Sequence, residues 1–167
     1  MMSTSEKPHY SKVEIILELI SISTLLTFLI FTVYIWPTVP QRIPTHYGWS
    51  GLPDSWGSKG MFPTMLYIAL FIFILLSILS RFPRAINFPI PISEDKSQSH
   101  LQLRFSLVLW IKAELLLITS YIGIQGIRVA LGESEGLGSY LIQILLVILF
   151  GTLAIFIYRA YRLKSVT

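Results

Sequence analysis

Few side chains in this chain are equipped for chemistry, and they form two groups. The first is His46 with Asp54, eight residues apart in a polar insert between two apolar runs. An imidazole beside a carboxylate is the minimum for proton transfer, and with Glu133 or Glu135 it would offer donors to a metal. Zinc sites, however, draw mostly on several His and Cys ligands, and the chain has no cysteine. No nucleophile, base and orienting group stand together as covalent catalysis requires. The residue types therefore favour a structural role, in which His46 bonds the backbone of its own loop, or Asp54. Asp54 itself either binds a ligand or closes an Asx-turn across Ser55 and Trp56. Lys59, the last polar residue before the next apolar run, either meets an anionic ligand or lipid phosphate or snorkels to the headgroups. No catalytic residue, metal ligand or cofactor is expected, and the chain reads as a non-enzyme.

The second group is Glu18, Lys112, Glu114 and Gln143, all inside apolar segments, with Glu14 one turn before Glu18. Ionisable groups at membrane depth are costly and by default point to function. One reading is a proton or ion path through Glu18, Lys112 and Glu114 with Gln143 beside it. The other is a buried Glu18–Lys112 pair that ties two helices together. Residues two apart on a helix diverge, so Lys112 and Glu114 are not expected to pair with each other.

The elements that must position these residues are long and greasy. Hydrophobic residues make up 53% of the 167 and charged residues only 13%, about half the share usual in soluble domains. A membrane helix needs about 20 apolar residues to cross roughly 30 Å of hydrocarbon. Four segments meet this requirement: Val13–Trp36, Met61–Ser80, Phe105–Ile124 and Ser139–Tyr158. The third holds Lys112 and Glu114. The first is too long for a signal-peptide core and lacks a cleavage pattern after it, so it is expected to be retained. The loop "ALGESEGLG" fits a helical hairpin between the last two spans.

Lysine and arginine are asymmetric. Lys7, Lys12, Arg81, Arg84, Lys96, Arg104, Arg159, Arg162 and Lys164 fall on one side, against Arg42, Lys59 and Arg128 on the other, with Lys112 inside a span. By the positive-inside rule both termini are cytoplasmic, in a multi-pass protein of the cell membrane. The net charge of +4 belongs to these flanks, and no nucleic-acid partner is expected. The expected order is a cytoplasmic N-terminus (1–12), a first unit of helix, outer loop and helix (13–80), a cytoplasmic loop (81–104), a helical hairpin (105–158) and a cytoplasmic tail (159–167). In the inner loop, Ser93 is the expected N-cap of the third helix with Glu94 and Asp95 in its first turn. Phe82, Phe88, Ile90 and Ile92 are suited to dip into the interface.

The outer insert, residues 36–59, reads "WPTVPQRIPTHYGWSGLPDSWGSK". Pro37, Pro40 and Pro44 stop the first helix and impose an extended path. Gly48, Gly51 and Gly57 permit turns, and Pro53 with Asp54 suits a turn in "LPDSWG". Ser58 is placed to cap a short helix, or Pro63 to open the second span. A loop this long is usually functional or disordered, and its aromatics argue for an ordered cap. Tyr34, Trp36, Tyr47, Trp49, Trp56 and Phe62 lie where an interfacial aromatic belt belongs.

The spacing of Pro37, Pro40, Ile43-Pro44, His46, Gly51, Pro53-Asp54, Trp56 and Ser58-Lys59 resembles a bacterial and archaeal domain of unknown function. That domain is found at the N-terminus of SdpI-type membrane proteins, the immunity family for a sporulation-delaying peptide toxin. The family commonly has an aromatic residue and then Asn after the histidine; Tyr47 fits, and Gly48 stands in place of Asn. The resemblance covers the end of the first span, the insert and the start of the second. It implies a small integral membrane protein in a short, four-span form, and makes Pro40, Pro44, His46, Gly51, Pro53, Asp54, Trp56 and Lys59 the motif residues.

The expected fold is an all-α membrane protein of four transmembrane helices with an ordered extracytoplasmic loop between the first two. The expected function is envelope sensing or protection against a membrane-active peptide, with the outer loop as recognition cap. The expected partners are the lipid bilayer and a peptide or hydrophobic ligand at the outer surface. The alternative is a small oligomeric transporter, or an accessory subunit of a membrane complex, using Glu18, Lys112 and Glu114.

Overall fold

A computed structural model describes residues 8–86 and 97–165. Its elements are α1 (Lys12–Ile35), β1 (Arg42–Tyr47), β2 (Pro53–Ser58), α2 (Thr64–Arg81), α3 (Ser97–Ala130) and α4 (Leu141–Ser165). All four helices are long and apolar enough to cross a membrane. The expected cap at Ser93, Glu94 and Asp95 and the interfacial residues Phe88, Ile90 and Ile92 lie outside the described residues.

α1 begins at a capping box. Ser11 Oγ accepts from the Val13 N–H at 3.3 Å, and Glu14 Oε2 accepts from the Ser11 N–H at 3.0 Å. These bonds supply partners that a helix start otherwise lacks. Glu14 is buried and also takes the Ser106 hydroxyl of α3, so its carboxylate belongs to the helix start and to α1–α3 packing. Pro37 ends α1 in a short 3-10 turn, Trp36–Thr38. Pro63 stands at the N-cap of α2, where its missing N–H costs nothing.

The expectation of an all-α fold needs correction, because the insert between α1 and α2 is a two-stranded antiparallel hairpin. Arg42 pairs with Ser58, Ile43 with Gly57, Pro44 with Trp56, His46 with Ser55 and Tyr47 with Pro53. The register shifts between Pro44 and His46 and again before Tyr47; a bulge of this kind absorbs the donor that Pro44 lacks. The reversal falls at residues 48–52, where the Gly48 N–H reaches Leu52 O at 3.0 Å and Gly51 takes φ +77°. Pro53 and Asp54 therefore open β2 rather than forming the turn. Ser58 precedes a 3-10 turn (Lys59–Met61), but its hydroxyl does not cap it.

α3 is the axis of the molecule. It packs against α1, α2, α4 and β1, and half of its apolar window is buried, against 6% for α4. Its 34 residues amount to about 50 Å, so it overruns the expected span Phe105–Ile124 at both ends. Leu25 and Phe28 of α1, Leu66 and Ala69 of α2 and Leu116 of α3 form one core. Leu103, Leu107, Phe156 and Ala160 join α3 to α4. Under the hairpin, Ile127 of α3 meets Val39, Ile43 and Phe62. In lipid, such contacts hold helices by close packing rather than by expelling water, which gives small residues weight. Gly123 touches the Phe28 ring so closely that a Cβ there would collide with it.

Candidate functional site

The hairpin and the α3–α4 turn form one end of the bundle. The start of α1, the end of α2, the start of α3 and the end of α4 form the other.

At the hairpin, the cross-strand pairing brings His46 beside Asp54. His46 Nδ1 lies 2.6 Å from Asp54 Oδ1, with the side chains 70% and 51% exposed. The Asp54 carboxylate is thus engaged across the hairpin rather than in an Asx-turn. A side chain at position 48 would meet Asp54 Oδ2 at 3.4 Å, so the site of the Gly48 departure adjoins this pair. Glu133 lies 3.7 Å from Arg128. Among the described residues, no group of three His, Asp or Glu gathers to hold a metal.

The aromatic residues divide between two faces. Trp49 is 73% exposed, and Tyr34, Trp36 and Trp56 are exposed too. Phe62 instead folds inward and is 4% exposed, with Trp36 stacked on it at 6.4 Å, so it does not belong to a surface belt. Lys59 Nζ sits 4.7 Å from the Trp36 ring centroid, a cation–π contact. Tyr47 also turns inward: its hydroxyl is buried beside Gly126 without a hydrogen-bond partner among the described residues. Burial raises its pKa to about 12, because the phenolate would lose hydration that nothing replaces.

The hairpin is fastened to the rest of the chain. The Leu137 N–H donates to Gly51 O at 2.8 Å, and Gln143 Nε2 donates to Trp49 O at 3.3 Å. Gln143 stands in the first turn of α4, so it is a hairpin anchor and not a neighbour of the intramembrane charges, as one reading of the sequence had it. Gln125 Nε2 of α3 donates to Ser134 Oγ and Gly136 O, bracing the turn that carries Leu137.

Deeper in the bundle, Lys112 Nζ lies 2.7 Å from both oxygens of Glu18. It also donates to Ser77 Oγ at 3.2 Å and sits 5.2 Å from the Phe73 ring centroid. One lysine thereby links α1, α2 and α3, and its side chain is wholly buried. Glu114 is turned elsewhere. Its Oε1 accepts from Thr152 Oγ1 of α4 at 2.5 Å, while its buried Oε2 has no hydrogen-bond partner among the described residues. The four polar residues that the sequence grouped together thus occupy three separate places. Sequence reasoning missed Glu14 as a cap, although the Ser11-x-x-Glu14 spacing is the usual signal for one.

Three apolar helices packed around a fourth, α3, with ionisable groups paired inside the bundle, define the class: a multi-pass membrane protein. Residues 22–77 match the family model described as domain of unknown function (DUF1648), the domain found in SdpI-type proteins, and that segment of the chain carries it. The match spans most of α1, the hairpin and most of α2. No curated protein and no solved structure matches the chain.

Proposed function

We propose that this is a non-enzymatic protein of the cell membrane that recognises a membrane-active peptide at its outer surface, in envelope sensing or in protection against that peptide. The hairpin is the recognition cap, and both termini are cytoplasmic. One observation carries the reading. The hairpin is locked to α3 and to the α3–α4 turn on its inner side, and offers Trp49, Trp56 and the His46–Asp54 pair on its exposed side. A rigid mount for exposed tryptophans is what hot-spot recognition needs, because little entropy is then lost on binding. β2, the more exposed strand, offers an edge to which an extended peptide can add as a further strand. The likeness of residues 22–77 to a domain of SdpI-type proteins and the nine-to-three split of basic residues agree with this reading.

The test is survival of a sensitive host that expresses the protein and is challenged with membrane-active peptides. Wild type should protect, and Trp49→Ala and His46→Ala should each reduce protection at equal protein level. Equal survival with and without the protein would sink the proposal. A small transporter or an accessory subunit in a homo-oligomer or with a partner membrane protein is the second reading, favoured by the unpartnered oxygen of Glu114. Proteoliposome flux that Glu114→Gln leaves unchanged removes the transport option.

A further inference from the structure

A cavity of about 590 Å³ lies between α1 and α4, with α3 as its floor. That volume is within the range of sites that hold drug-sized ligands. Its walls are almost wholly apolar, with Leu117, Ile124, Leu145 and Ile148 among them. Two of the lining residues each carry a buried oxygen without a hydrogen-bond partner among the described residues, Glu114 Oε2 and Ser120 Oγ. Ser120 is only 6% exposed. The two residues are six apart on α3, or about 9 Å along its axis.

The chemistry of the lining selects the ligand. Among the described residues Glu114 is its only acidic or basic one, and the one phenol, Tyr121, donates a hydrogen bond to Leu137 O at 3.1 Å. Lys112, the nearest cation in sequence, is bound to both oxygens of Glu18 on another side of α3. No positive charge therefore balances Glu114 from within the cavity. A lipid acyl chain filling the space would leave Oε2 without a donor, and an anion would face the carboxylate directly. A buried carboxylate is stabilised by a cation that also donates a hydrogen bond to it.

We propose that this cavity is a binding site for a protonated lipophilic amine, whose ammonium pairs with the Glu114 carboxylate as Oε2 turns from its buried position towards the cavity, and whose apolar body lies along Leu117, Leu145 and Ile148. The site is separate from the hairpin and rests on neither reading above.

The test uses three probes of one shape: 1-adamantylamine, 1-adamantanol and 1-adamantanecarboxylate. Each is dialysed to equilibrium at neutral pH against the full chain in phosphatidylcholine nanodiscs, with empty discs subtracted. The amine should bind saturably, and the alcohol and carboxylate about tenfold more weakly or worse, as loss of a charge-assisted bond implies. Glu114→Gln should weaken the amine about tenfold or more and leave the alcohol unchanged. Leu145→Trp, which fills the cavity and spares the carboxyl, should abolish saturable binding of the amine. It decides the matter if Glu114→Gln does not fold. Carboxylate binding as tight as the amine, amine binding indifferent to either substitution, or no saturable amine binding by wild type would each overturn the proposal.

Discussion

Breaking the Glu18–Lys112 pair should be far more damaging than deleting it. In Glu18→Leu the ammonium of Lys112 stays wholly buried and, among the described residues, keeps only Ser77 Oγ at 3.2 Å and the Phe73 ring at 5.2 Å. A buried ion stripped of its counterion costs about 3–5 kcal/mol. Lys112→Met leaves Glu18, whose side chain is less deeply buried at 21% exposed, so about 3 kcal/mol is expected, the lower end of that range. Glu18→Leu with Lys112→Met removes both charges, and such replacements are neutral to within about 1 kcal/mol or even stabilising. The coupling between the sites should therefore exceed about 3 kcal/mol, roughly a hundredfold in the ratio of folded to unfolded protein. Dodecyl sulfate titration of the purified protein, followed by circular dichroism, measures all three variants. The swap Lys112→Glu with Glu18→Lys should restore accumulation that each reversal alone prevents. If the single losses add to the double within about 0.5 kcal/mol, or the swap restores nothing, the pair does not hold the bundle.

Two further predictions concern packing. Gly123→Ala should cost about 1–3 kcal/mol, because the new methyl overpacks against the buried Phe28 ring; Phe28→Leu on that background should recover part of it in the same titration. Tyr47→Phe removes a buried hydroxyl without a partner and should stabilise the fold by about 1 kcal/mol. With a folded pKa of about 12 against 10.0 for the free phenol, Tyr47 adds no ionisation cost below pH 10, and stability falls as pH rises from 10 to 12. There the unfolded chain has released a proton that the folded chain still holds. Stability measured across that window should fall less in Tyr47→Phe than in wild type.

What the sequence could tell followed from the length scale of each signal. Four apolar runs of membrane length are hard to mistake, and all four helices are there. The Glu18–Lys112 pair was also readable, because both helices run in the same direction and depth can be counted along each. The strands were hidden because Pro44, Pro53 and Gly57 are residues that strands usually reject; only a bulged, exposed two-stranded hairpin accepts them. The C-terminal end of α3 was hidden for another reason. Gln125 and Arg128 look like loop residues, but the helix runs on to Ala130, and Gln125 finds its partners in the following turn. Gln143 was misplaced for lack of a depth: one turn more or less at the start of α4 decides between a bundle interior and a hairpin anchor.

The segment that matches the domain model ends at residue 77, yet much of what fixes its hairpin comes later in the chain. Ile127 fills the space under Val39 and Ile43, Leu116 completes the core of α1 and α2, and the amide of Leu137 holds the carbonyl of Gly51. The segment is therefore not portable. Grafted into another helix pair, it would keep its strand ladder and lose its mount, unless the host supplied a third helix with a small residue facing Phe28 and an amide facing Gly51. Any protein that displays this hairpin in the same pose must solve that docking problem with residues beyond the segment itself.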